Sequence, residues 1–188
     1  SLCCFIIGLN SERKKYWFLS SFFIVLSFFS KQIPSVYLLI LFLISAISYK
    51  IYFKEKKAFS DLIFFFLGGI AGVFLFLLIF LFNEVPISNF LIQYIYYPIS
   101  LGETRLDKLS FNFNNTISQF KFIYFSLIPL VIVGFILFKK KNYTVSVKKD
   151  LFLLFFVFLT SLIFIYGQLM TKNQILIFFL VPFYLGIA

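Results

Sequence analysis

The sequence predicts an all-α protein, a polytopic transmembrane helical bundle of about six spans with one long outer-face loop. Three observations predict it. Hydrophobic residues make up 62% of the 188 positions and charged residues only 13%, against about 45–50% and about 25% in a water-soluble domain. Apolar runs recur that approach the ~20 residues a helix needs to cross a bilayer. The connections between them alternate between lysine-rich and lysine-poor, as successive turns on opposite sides of a membrane do.

Taken in order, residues 1–9 (SLCCFIIGL) read as the tail of an upstream helix, with no basic or cleavage-site flank of a signal peptide. The chain opens at Ser1 and ends at Ala188 within an apolar run, so the expectation is a single transmembrane domain, 1–188, truncated at both ends. Cys3 and Cys4 sit together in the apolar tail as small hydrophobes. The chain has no histidine, which removes the commonest general base and metal ligand, and no metal site is expected. Tyr16–Phe29 is a short candidate span; Ser35–Phe53, Leu62–Phe82, Phe122–Phe138 and Leu151–Met170 are fuller ones; Gln174–Ala188 is a sixth, truncated one. Within the third, Gly68, Gly69 and Gly72 permit close helix packing. Asp61, after Ser60, reads as ordinary chemistry at a helix N-terminus.

Twelve of the 17 basic residues fall in three connections, 11–15, 50–57 and 139–149. The others carry Lys31, Arg105, Lys108, Lys121 and Lys172. The positive-inside rule then puts the lysine-rich turns in the cytoplasm, and the turn at Lys31, the 83–121 loop and the turn at Lys172 on the outer face. The net charge of +10 points to anionic membrane lipids rather than nucleic acid.

The 83–121 segment is the one long stretch that is neither an apolar run nor a lysine-rich turn. Phe90, Leu91, Tyr94, Ile95 and Pro98 recur at helical spacing, which predicts a re-entrant or surface-lying helix followed by an extended, ligand-facing loop. Lys31 and Gln32 come straight after an apolar run, so the ammonium sits at the membrane edge. There it either snorkels to headgroups or pairs with a substrate phosphate. Arg105, three residues after Gly102, offers a planar fork for phosphate or carboxylate, or a salt bridge to Glu103 or Asp107. Gln93, Tyr94, Tyr96 and Tyr97 read as an interfacial aromatic belt or as an aromatic and amide surface for a sugar or isoprenoid. Glu84, Glu103 and Asp107 are the outer-face carboxylates of this loop, without a supporting motif.

Three stretches, FFSKQIPSVYLL, FLIQYIYYPISLGETRL and TKNQILIFFLVPFYLGIA, resemble the multi-spanning, lipid-linked-sugar glycosyltransferases of the GT-C fold. The nearest likeness is to dolichyl-phosphate-mannose mannosyltransferases and aminoarabinose transferases. The resemblance implies a bacterial inner-membrane enzyme that moves a sugar from a polyprenyl-phosphate carrier to an acceptor at the periplasmic face. It implies that Lys31, Arg105 and Lys172 hold the carrier phosphate and that Gln32, Gln93 and Tyr97 shape the substrate pocket. In that family the catalytic carboxylate lies in the first large outer loop, which places it upstream of Ser1, so no catalytic residue is carried over. No cofactor is specified. Asn173 stands where the family often has Arg or Tyr. Rival readings are a polysaccharide polymerase or ligase with a long outer loop, a lipid or solute transporter, and a non-enzymatic scaffold. A transporter calls for charges near the bilayer midplane, and the apolar runs hold almost none.

Overall fold

The computed structural model describes residues 1–11, 13–53, 58–101, 111–139, 144–171 and 177–187. Among them every regular element is helical. The elements are α1 (Leu2–Asn10), α2 (Lys14–Ser30), α3 (Gln32–Tyr52), α4 (Ala58–Phe82), α5 (Ile87–Leu91), α6 (Lys121–Lys139), α7 (Val145–Thr171) and α8 (Leu180–Ile187). Among the described residues four helices are long and apolar enough to cross a membrane, Gln32–Tyr52, Phe59–Phe82, Lys121–Lys139 and Val145–Met170, which by length and composition makes this a multi-pass membrane protein. Of the two other expected spans, α2 has 17 residues, and Gln174–Ala188 lies partly outside the described residues, which give it the 8-residue α8. The chain falls into two compact units, Ser1–Leu109 and Ser110–Ala188.

In the first unit the helices are built from periodic small and aromatic residues. The buried side of α2 is Trp17, Ser20, Ser21 and Ile24, one helical stripe. It lies along α4, the most extensive helix pairing in the unit. Lys14 lies over the Phe64 ring, an added Cβ at Gly68 would meet Phe18, one at Gly72 would meet Val25, and Phe29 stacks on Phe76. These pairs keep a near-constant offset, so α2 and α4 run parallel and in direct contact, with α3 the return helix that joins them in the chain. Gly68 and Gly72 are what let the two backbones approach, since the Phe18 carbonyl oxygen lies 2.1 Å from where a Gly68 Cβ would stand.

Helix α4 ends in a Schellman motif: Val85 N–H donates to Phe80 O at 3.0 Å and Glu84 N–H to Leu81 O at 3.3 Å. Glu84 occupies the left-handed position, φ 52°, that glycine usually takes. Of the predicted 83–121 loop, 87–101 is helical, with a π-helical turn at Ile92–Tyr96, and a second π-turn spans Asn114–Ser118.

In the second unit α6 buries Ile123, Ser126, Leu127 and Leu130 and packs on α7 and α8. The Ser161 and Tyr184 hydroxyls hydrogen-bond at 2.5 Å, tying α7 to α8. Thr160 and Ser161 also donate to the carbonyls four residues back, at 2.9 and 2.8 Å, so these buried hydroxyls are satisfied.

Candidate functional site

Lys31 is the hinge between α2 and α3. Its extended backbone, φ −151° and ψ 109°, ends one helix and starts the next. Its carbonyl accepts from the Ser35 hydroxyl at 2.7 Å, and Ser35 and Ser27 share a second hydrogen bond of 2.7 Å. The Ile33–Pro34 peptide that follows is cis. These hydroxyls fix the turn while leaving the lysine side chain uncommitted.

The segment after α4 folds back over this turn. The Gln32 side-chain amide donates to the Tyr94 carbonyl, and the Tyr94 hydroxyl donates to the Phe29 carbonyl at 2.8 Å. Beneath lies an aromatic cluster: Phe29 stacks on Phe76 at 3.7 Å between ring centres, and Phe90 stacks on Tyr94 at 5.0 Å and meets Phe80 edge-on at 5.2 Å. Such pairs add about 0.5–1.5 kcal/mol each beyond the area they bury. The Lys31 ammonium is buried, although its side chain as a whole is partly exposed, and has no hydrogen-bond partner among the described residues. Burial lowers its pKa below that of an ordinary lysine, because the charged form loses its water.

The expected residues therefore divide. Lys31 and Gln32 come together, joined by Tyr94 and Phe29 rather than by Gln93 or Tyr97. Both of those are exposed, Tyr97 at 60%. Arg105 and Lys172 lie outside the described residues, as do Glu103 and Asp107.

A second polar cluster lies at the opposite end of α2, α3 and α4. Lys50, counted among the turn lysines, donates to Asp61 Oδ2 at 2.6 Å, with the two side chains only 4% and 3% exposed. Asp61 stands in the first turn of α4, as expected, and is in addition the buried partner of that lysine. The Lys50 ammonium also lies 5.0 Å from the centre of the Trp17 ring, a cation–π contact strengthened by desolvation. Phe5, Phe42 and Phe65 close the cluster, with Phe5 stacked on Phe42 at 4.3 Å. The pair sits in the last turn of α3 and the first turn of α4, not at mid-span. A signal for it existed in the sequence: Asp61 shares a helical face with Phe65, Gly68 and Gly72, and Lys50 continues the Phe42, Ala46 stripe of α3. No family model, curated protein or solved structure matches the chain.

Proposed function

We propose that the chain is the transmembrane part of a bacterial inner-membrane glycosyltransferase. In this reading it moves a sugar from a polyprenyl-phosphate carrier to an acceptor at the periplasmic face, with Lys31 meeting the carrier phosphate. The observation that carries the reading is the Lys31 ammonium, buried without a hydrogen-bond partner among the described residues. A desolvated cation is costly unless an anion joins it, and a phosphate would form a charge-assisted hydrogen bond there. The rings of Phe29, Phe76, Phe80 and Phe90 form an apolar cluster that would offer an isoprenoid a surface. Gln32 and Tyr94 brace the turn, and by their residue types Arg105 and Lys172 add further cations.

In the transfer itself, the acceptor oxygen bonds to the sugar's anomeric carbon while the bond from that carbon to the phosphate oxygen breaks. The phosphate leaves with the electron pair. Fixed cations stabilise the charge that develops on it. The acceptor's proton passes to a general base that is not assigned to a residue of this chain.

The test is sugar transfer from a polyprenyl-phosphate donor by the complete protein in vesicles. Lys31→Met is expected to lower transfer ~100-fold, on the scale of losing one fixed stabilising donor, with insertion unchanged. The pH dependence has a definite sign. Lys31 is charged below its lowered pKa, so its contribution fades as pH rises through a value lower than that of an ordinary lysine. Lys31→Arg keeps its charge throughout and should abolish that fade. Full transfer by Lys31→Met would remove the assignment.

A further inference from the structure

The second unit carries a feature that the proposed transfer does not use. Between α6 and α7 lies an open groove of about 450 Å³ lined by apolar residues, among them Leu127, Val131 and Phe138 on α6 and Leu151, Phe155 and Phe158 on α7. Along α6 it runs from Leu127 to Phe138, which at 1.5 Å per residue is roughly 16 Å. One leaflet of the hydrocarbon core is about 15 Å deep, so the groove matches the length of one lipid tail. Gly134 lines its floor, where an added Cβ would stand 3.7 Å from Leu154 Cδ1.

What lies at the groove's end identifies the occupant. Beyond Phe138 comes Lys139, and Lys148 stands three residues before Leu151, on the stripe that continues to Phe155 and Phe158. Both lysines are exposed, and neither is in an ion pair with a carboxylate among the described residues. The neighbouring carboxylate, Asp150, is two positions from Lys148 and so does not face it. An apolar channel one leaflet deep that opens between cations complements a molecule with an apolar tail and an anionic head. We propose that this groove is a binding site for an anionic phospholipid, its acyl chain between α6 and α7 and its phosphate between Lys139 and Lys148.

The test uses the complete protein in phosphatidylcholine vesicles doped with either phosphatidylglycerol or phosphatidylcholine carrying a photoactivatable acyl chain. Phosphatidylglycerol is expected to label groove residues of α6 and α7 at least ~5-fold more than phosphatidylcholine, since one lysine near an anionic lipid contributes about a fivefold preference. Lys139→Gln with Lys148→Gln should reduce that label to the phosphatidylcholine level. Both changes are on exposed side chains and leave the helix contacts intact. Gly134→Phe should fill the floor and remove labelling by both lipids. Equal labelling by the two lipids, or a preference that survives the double lysine change, would mean bulk lipid and overturn the proposal. Absence of lipid label from the groove would overturn it as well, because protein then covers it.

Discussion

Lys50→Met is expected to destabilise the first unit by roughly 3–5 kcal/mol, the cost of leaving the carboxylate of a buried ion pair uncompensated. Its partner Asp61 is 3% exposed, too deep for water to replace the lost ammonium. Asp61→Ala removes the same ion pair and should also destabilise the unit. The double change, Lys50→Met with Asp61→Leu, removes both charges and keeps apolar volume, so it should return to within about 1–2 kcal/mol of the parent or exceed it. Thermal unfolding of the four proteins in one detergent gives the comparison. Single variants that melt like the parent would show that the pair is not buried as described. A double variant as unstable as the sum of the singles would show that Lys50 and Asp61 act independently.

The second large effect is expected at Gly68. An alanine Cβ there would lie 2.1 Å from the Phe18 carbonyl oxygen and 2.8 Å from its carbon. These are backbone atoms in the second turn of α2, so no side chain can swing away and the helices must part. The cost should reach ~3 kcal/mol, the upper part of the usual range for overpacking. Gly69 faces the Ser21 hydroxyl at 3.0 Å, a side-chain atom that can rotate, and Gly72 faces the Val25 side chain at 3.0 Å and the Phe22 carbonyl at 3.2 Å. Alanine scanning should therefore rank Gly68 worst, Gly72 next and Gly69 mildest, read by unfolding and by disulfide trapping of cysteine pairs across α2 and α4. Equal tolerance at all three positions would contradict the parallel α2–α4 contact.

Much of the helical architecture was legible because it follows from composition and period. The four long apolar helices begin and end near lysines or a Schellman turn, and GGIAG foretold a close contact because only glycine removes the Cβ from a helix face. What stayed hidden was pairing in space. Lys50 sits among lysines that look like a solvated turn, and Asp61 follows a serine in a helix-start setting, so local rules gave each a plausible partner in water or backbone. Their helical phase told otherwise: each lies on its helix's buried stripe, and a charge on a buried stripe needs an opposite charge. At the other end, aromatic content pointed to the 87–101 segment as a whole, and nothing local singled out Tyr94, which reaches Phe29, from Gln93 and Tyr97, which remain exposed. That Gln32 would meet Tyr94, 62 residues away, is a tertiary contact on which no local pattern bears.

The most direct test of the proposed function is equilibrium binding of polyprenyl phosphate, with uncharged polyprenol of the same length as reference, to the complete protein in nanodiscs of neutral lipid. Both ligands offer the same chain to the Phe29, Phe76 and Phe90 rings, so their difference isolates recognition of the phosphate. The account predicts that the phosphate binds at least ~10-fold more tightly, as a charge-assisted hydrogen bond in a water-poor site allows, and that Lys31→Met lowers that preference while leaving polyprenol binding unchanged. Equal binding of the two ligands, or a phosphate preference of the same size in Lys31→Met, would contradict it.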